Sequence, residues 1–278
     1  MCELYKYSGA GNDFIMVDGR QKSPDNCYTT DEIKALCDRK DGFLAADGRI
    51  GSDGFIILRS SGSYDFRMEF YNPDGSSGMM CGNGGRCIVA FADFLGIAPS
   101  DGRIYRFEAA DGPHTAEILS RNGDELIVKL RMTDACDVRK VLGGIFLNTG
   151  TRHFVLFKND VESIDIENEG PRYRHDPEFA PQGANVNFVS ILPDGSLKVR
   201  TFEKGVEAET LACGTGITAS AIAAHLSGLA PGELLTGTPD NSRIRYTVHA
   251  RQADLSVDFL PASPATDIHL TGPAQLIR

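Results

Sequence analysis

A chain of 278 residues with 41% hydrophobic and 24% charged residues has the make-up of a folded globular protein, long enough for two domains of about 100 to 150 residues each. Its formal net charge of −10 repels a phosphate backbone, and no Lys/Arg cluster gathers to overcome it; nucleic acid and anionic membranes are excluded as partners and a small molecule is expected. No window approaches 18 consecutive apolar residues and the first residues lack a charged and then apolar leader, so the cytoplasm is the expected location.

Along the chain, Ser8-Gly9-Ala10-Gly11 starts like a dinucleotide fingerprint, but Phe14 stands where the third glycine belongs and no helix follows, which removes that reading. Short apolar runs predict strands over 14–17, 55–58, 67–71, 104–108 and 125–130. Between the third and fourth of these, 84–95 reads as a helix closed by Gly96, apolar on nearly every face through Cys87, Ile88, Val89, Ala90, Phe91, Ala92, Phe94 and Leu95. The run DACDVRKVLGG over 134–144 breaks the strand pattern with charges and a glycine pair, and reads as a crossover. Domains over 1–135 and 136–278 follow, with the last strand allowed to return to the N-terminal one. In the second half, strands are expected over 154–157, 187–191, 198–202, 244–249 and 254–259, and an all-apolar helix over 216–227 closed by Gly228. Most joints carry Gly, Asp or Asn, as antiparallel hairpins do. The expected fold class is α+β: two pseudo-symmetric halves, each a largely antiparallel sheet wrapped about one apolar helix.

The two halves repeat. A shift of 132 positions lays Cys81-Gly82-Asn83-Gly84 on Cys213-Gly214-Thr215-Gly216 and Phe70 on Phe202; a looser match sets Gly11-Asn12-Asp13-Phe14-Ile15 on Thr151-Arg152-His153-Phe154-Val155. Seven cysteines are too few and too scattered for a disulfide framework, and neither a C-x-x-C nor a paired H-x-x-x-H spacing offers a zinc site, so no metal is expected. Cys2, Cys27, Cys37, Cys87 and Cys136 have no twin in the repeat and read as structural.

Cys81 and Cys213 each precede a Gly-x-Gly that opens a helix, where unsatisfied N–H groups and the positive end of the macrodipole favour thiolate. Such a position can bring a thiol from about 8.5 to near 7, so that it serves as base or acid at neutral pH. A lone Cys-Gly at a helix start is ordinarily a small buried hydrophobe; its recurrence at matched positions reverses that reading. The glycines let a carboxylate approach the bare N–H groups, and the carbon beside it would lie between two sulfurs. One group removing a proton from one face while another delivers a proton to the opposite face is the requirement for stereoinversion, hence a racemase or epimerase.

The segments KYSGAGNDFIMVD (6–18), FYNPDGSSGMMCGNGGRC (70–87), GANVNF (183–188) and FEKGVEAETLACGTG (202–216) resemble the diaminopimelate epimerase family nearly end to end. The resemblance implies two pseudo-symmetric domains with the active site in the cleft between them, and conversion of LL- to meso-diaminopimelate for lysine and peptidoglycan synthesis without pyridoxal phosphate or any other cofactor. It also implies that Cys81 and Cys213 are the acid/base thiols. Gly82, Asn83, Gly214 and Thr215 match the backbone donors to the reacting carboxylate; Asn12, Asn72 and Asn185 match substrate-binding asparagines, and His153 and Glu203 match residues lining the site. No oligomeric state follows from the sequence, and a homodimer is compatible with the resemblance. Three positions depart from the family: Lys204 stands for the Arg at the distal carboxylate, Thr151 for the Asn of G-N-P-H, and Gly54 for a Gln found in some members. Lys keeps the charge but not the planar bidentate fork. A racemase of another amino acid on the same fold, and a thiol-based redox or binding module, are the competing readings.

Overall fold

The computed structural model describes residues 3–21, 28–235 and 242–277; Cys2 and Cys27 lie outside the described residues. The chain divides into two compact units, residues 1–130 with 272–278, and residues 131–271.

In the first unit, β1 (Tyr5–Gly9) turns through Ala10 and Gly11, at φ 56° and 98°, into the antiparallel β2 (Asn12–Asp18). Helix α1 (Thr30–Cys37) starts at a capping box, the Thr29 hydroxyl accepting from the Glu32 N–H while Glu32 reaches back to the Thr29 N–H. Then come β3 (Gly54–Arg59), parallel to β2, β4 (Phe66–Tyr71), antiparallel to β3, and helix α2 (Gly82–Phe94). Next, β5 (Ile104–Ala109) lies parallel to β4, followed by antiparallel β6 (Gly112–Asn122) and β7 (Glu125–Arg131).

The second unit repeats this order. After β8 (Cys136–Val141) come β9 (Gly144–Asn148), β10 (Arg152–Phe157), α3 (Ile166–Arg174), β11 (Asn185–Ile191), β12 (Leu197–Glu203), β13 (Ala208–Thr210) and α4 (Gly214–Ser227). It continues with β14 (Glu233–Leu235), β15 (Arg243–His249), β16 (Asp254–Leu260) and β17 (Thr266–Ile277). The pairing repeats too: β10 is parallel to β11 and β12 to β15, as β2 is to β3 and β4 to β5. The end of β17 belongs to the first unit, where Gln275 and Ile277 pair with Ser8 and Lys6 of β1.

A period of two explains the layering. Ile15, Val17, Phe55 and Ile57 point one way and pack with Ile33 and Cys37 of α1; residues of the opposite parity face α2, where Ile56 and Met68 crowd Gly84. All six residues of β3 are buried, as a strand covered on both faces requires. In the second unit, Phe154, Leu156, Val186, Phe188 and Phe202 form the core beneath α3, and His153, Asn187 and Gly216 meet on the α4 side. Helices α2 and α4 are buried from their first residues to Ala92 and Ala224 with the single exception of half-buried Thr215, so each unit is a sheet about a central apolar helix, as expected. Among the described residues no helix is long and apolar enough to cross a membrane.

The sheets are largely antiparallel, as expected, with two parallel pairs in each unit bridged by helices. Two expectations are corrected. Residues 134–144 are not a bare crossover: β8 pairs antiparallel with β9 through a turn at Leu142 and Gly143, both at positive φ, and charged residues there mark an exposed strand. Each central helix also begins two residues earlier than read, at Gly82 and Gly214, so the glycines lie inside the first turn.

Candidate active site

That earlier start makes both repeated cysteines N-cap residues. Cys81 has extended backbone (φ −111°, ψ 145°), and its Sγ accepts the Gly84 N–H at 3.2 Å, which places sulfur over the open first turn of α2. A side chain on Gly84 would lie 3.3 Å from Cys81 Sγ, Ile56 Cδ1 and Met68 Cε, so the glycine keeps the sulfur close. Cys213 has the same extended backbone but makes no side-chain cap bond; its Sγ lies 3.5 Å from Thr215 Oγ1.

Around Cys81 an ordered run of amides fixes the first turn. Asn12 Nδ2 donates to Asp53 Oδ2 at 3.0 Å, its Oδ1 accepts from Asn83 Nδ2 at 2.6 Å, and Asn83 Oδ1 accepts from Arg86 Nη2 at 2.8 Å. The carboxylate at one end and the guanidinium at the other settle which way each amide points. Asp53 is in turn paired with Arg39, which also bridges to Asp13 at 2.7 Å, and Asp13 meets the buried Lys6 at 2.8 Å. Both cations hold the Asp13 carboxyl below its ordinary range against the burial that would raise it. Asn72 is placed differently: it shapes the turn after β4, its Nδ2 donating to Ser76 Oγ at 3.0 Å, and its described bonds do not reach Asn12 or Asn83.

In the second unit the expected residues draw together on the α4 side. His153 is fully buried; its Nε2 lies 2.8 Å from Thr151 Oγ1 and 2.9 Å from Thr215 Oγ1, and the two hydroxyls are 3.1 Å apart. Asn187 determines the tautomer. Its Oδ1 accepts from Thr201 Oγ1 at 3.0 Å, so its Nδ2 donates to His153 Nδ1 at 3.0 Å and the ring proton sits on Nε2. Burial pushes His153 down to about 3, so the ring is neutral and Nε2–H donates toward the threonines. A polar line thus runs from Thr201 through Asn187, His153 and Thr215 to the Cys213 sulfur. Asn185 donates to Arg152 O and Thr151 Oγ1 at 3.1 and 3.3 Å and accepts the Lys204 N–H at 2.7 Å. Glu203 is half-buried at the end of β12, and burial raises its carboxyl, opposed by the Thr210 hydroxyl. Lys204 is exposed on the turn that follows.

The departures gain physical context. The Thr151 hydroxyl joins His153 to Thr215. At Gly54 the Phe70 ring lies 2.8 and 2.9 Å from where a side chain would begin, so a larger residue there would require that ring to shift. Sequence reasoning missed Asn187, Thr201, Asp53 and Arg86. Asn187 was open to detection, since it stands two residues after Asn185 on one strand and shares its face. Among the described residues no group of three or more His, Cys, Asp or Glu is arranged to hold a metal ion.

Comparison with known proteins matches this architecture. The family model described as diaminopimelate epimerase matches residues 4–136 and 145–259. A diaminopimelate epimerase of Chlorobaculum tepidum is 40% identical over 275 residues, covering 97% of each chain, and one of Flavobacterium psychrophilum is 40% identical over 277 residues, covering 99% of this chain and 98% of that one. Among solved structures, a Bacillus anthracis phenazine biosynthesis protein of the PhzF family superposes with a TM-score of 0.68 at 14% identity, covering 100% of this chain and 97% of its own. A probable proline racemase from Agrobacterium radiobacter does so with a TM-score of 0.65 at 15% identity, covering 100% and 92%. These two likenesses concern the fold.

Proposed function

Because the chain belongs to the diaminopimelate epimerase family and is an isomerase, we propose that it inverts one α-carbon of LL-2,6-diaminopimelate to give the meso form by a two-base mechanism on Cys81 and Cys213. The observation that carries this reading is the matched placement of the two sulfurs, each the N-cap residue of the buried helix of its unit. Each unit therefore offers a thiol and, beside it, bare N–H groups of a first helical turn: Gly82 and Asn83 in one, Gly214 and Thr215 in the other.

In the proposed reaction one cysteine enters as thiolate and takes the α-proton, breaking the C–H bond and leaving the electron pair on the α-carbon and its carboxylate. The N–H groups of both first turns stabilise the charge that develops on the carboxylate oxygens. The other cysteine, as thiol, delivers its proton to the opposite face. The products are the inverted carbon and the same two sulfurs with their protonation exchanged, so the enzyme serves either direction. Neither pyridoxal phosphate nor metal is needed, because paired thiols and oriented dipoles supply the acid, the base and the electrostatic support.

Asn12, Asn72, Asn185, Thr151, His153 and Glu203 are assigned to holding the amino and carboxyl groups of the substrate. Lys204, an exposed cation on the turn after β12 whose backbone N–H donates to Asn185, is assigned to the carboxylate at the far end of the substrate. The setting is the cytoplasm, in lysine and cell-wall synthesis.

The test is incubation of purified protein with LL-diaminopimelate in deuterium oxide, without added cofactor. Meso product with deuterium at the inverted α-carbon is expected. Absence of both inversion and exchange by protein of native fold would refute the assignment, and inversion that required added pyridoxal phosphate would refute the mechanism.

A further inference from the structure

Arg86 lies on α2 five residues after Cys81, and its side chain is fully buried. The guanidinium folds back onto the first turn of its own helix, donating from Nη1 to Gly82 O at 3.2 Å and from Nη2 to Asn83 Oδ1 at 2.8 Å, with Nε directed to Pro273 O at 3.4 Å. All three acceptors are neutral. Among the described residues Arg86 makes no ion pair; the nearest carboxylate along its hydrogen bonds is Asp53, two amides away and paired with Arg39. A buried cation held by neutral acceptors is strongly unfavourable unless an anion balances it.

We propose that Cys81 is that anion: Arg86 is a positioning residue that holds Cys81 as the thiolate of the resting enzyme. The proposal rests on the reading of Cys81 as an acid/base group. Both partners bond to the first turn of α2, Arg86 gripping the carbonyl of the residue that follows Cys81 while the sulfur takes the Gly84 N–H. The charge adds to the positive end of the helix dipole at the place where the sulfur caps it. Burial draws the Arg86 guanidinium down to about 10, so it stays protonated at neutral pH.

The charged side chains of the strands packed most closely on α2 have partners of their own among the described residues. Helix α2 packs chiefly against β1, β2, β3 and β6, with Met68 of β4 and Leu130 of β7 against its first turn and Pro273 of β17 at Arg86. From the four main strands come Lys6 and Asp13, paired with each other at 2.8 Å, Asp13 also with Arg39; Asp18, paired with Arg20 at 2.7 Å; Arg59, paired with Glu69 at 2.9 Å; Arg121, paired with Asp93 of the helix; Glu117, paired with Arg103; and His114, paired with Asp111. Tyr7 and Cys87 are kept neutral by burial, which pushes both well above their ordinary values. The repeat supplies a contrast: 132 positions on, Thr218 occupies the place of Arg86, and its hydroxyl donates to Gly214 O at 2.9 Å. The cation is a feature of the first half.

The test follows the rate of iodoacetamide alkylation at Cys81 and Cys213 separately, by peptide mass spectrometry, across the pH range in which thiols ionise. In the wild-type protein the Cys81 midpoint should lie at least about 1 unit below the ordinary thiol value of about 8.5. Arg86→Met should raise it by about 1 to 3 units, a loss of about tenfold or more in Cys81 reactivity at neutral pH, with the Cys213 profile in place. Arg86→Lys, which keeps a cation, should restore most of the reactivity. A wild-type midpoint at or above about 8.5 overturns the proposal, whether or not the methionine variant folds. It is also overturned by a folded Arg86→Met protein with an unmoved Cys81 profile, or by equal shifts at both cysteines. Alkylation needs no substrate, so failure of the epimerase assay and failure of this assignment are read independently.

Discussion

Gly84 and Gly216 are twins, 132 positions apart in the third place of each central helix, yet the same substitution should treat them differently. A methyl at Gly84 meets three atoms at 3.3 Å, the Cys81 sulfur and the terminal carbons of Ile56 and Met68, which can each give by a few tenths of an ångström. Alanine also gains about 0.8 to 1 kcal/mol of helix propensity over glycine. Gly84→Ala should therefore change stability by less than about 1 kcal/mol. At Gly216 the methyl would run into Asn187 Oδ1 far inside van der Waals contact, with His153 Cε1 at 3.3 Å. Asn187 cannot retreat, because it is fully buried and bonded to His153 and Thr201. Overpacking of this kind costs about 1 to 3 kcal/mol, and relief by lifting the first turn of α4 would carry Cys213 with it. Urea unfolding and deuterium exchange at the α-carbon, run on both variants, read the two effects. Gly216→Ala should lose stability and at least about tenfold in turnover, since small misplacements of reacting groups are expensive in rate. Equal stability and turnover for the two alanine variants would show that the amide of Asn187 does not fix the start of α4.

Cys81→Ala and Cys213→Ala should each abolish inversion measured by circular dichroism or coupled turnover, because one thiol serves one face; substantial inversion by either variant rules out two bases. His153, drawn down to about 3 by burial, contributes stability that is complete above its ordinary value of about 6.5 and is lost as the pH falls through about 3. Urea midpoints should accordingly fall more steeply between about pH 7 and about pH 4 for wild type than for His153→Gln, and equal slopes would mean the ring is not held neutral. Lys204→Met should cut kcat/KM for diaminopimelate by about tenfold or more, equivalent to about 1.4 kcal/mol, while Lys204→Arg stays near wild type. An unchanged ratio of diaminopimelate to lysine turnover in Lys204→Met would separate Lys204 from the distal carboxylate.

Much of the architecture was legible because its signals are local. The apolar wrap of 84–95 and 216–227 and the glycines after them, Gly96 and Gly228 at φ 75° and 66°, announce buried helices with left-handed endings. The cysteine pair emerges from simple self-comparison of the chain. Parallel pairing did not, since it depends on which strands α1 and α3 connect, and both helices are short and polar on one side. The charged run of β8 imitates a linker because exposed strands carry the same residues. At the site, strand alternation could have added Asn187 to Asn185. By contrast, Arg86 and Asp53 act through folded contacts that bring together residues 12, 53, 83 and 86, and no spacing rule encodes such a meeting.

The strand β17 bears on the order of assembly. Its residues from Gly272 onward belong to the first unit, although every residue of the second unit precedes them in synthesis. The second unit is one continuous stretch and can reach its native contacts as it is made. The first must hold one edge of β1 open until Gln275 to Ile277 arrive, more than 260 residues after Ser8. Contacts of such separation form slowly, and an unpaired edge invites pairing with other chains in the interval. Loss of this last stretch would thus injure the beginning of the chain, and aggregation would start from the N-terminal half.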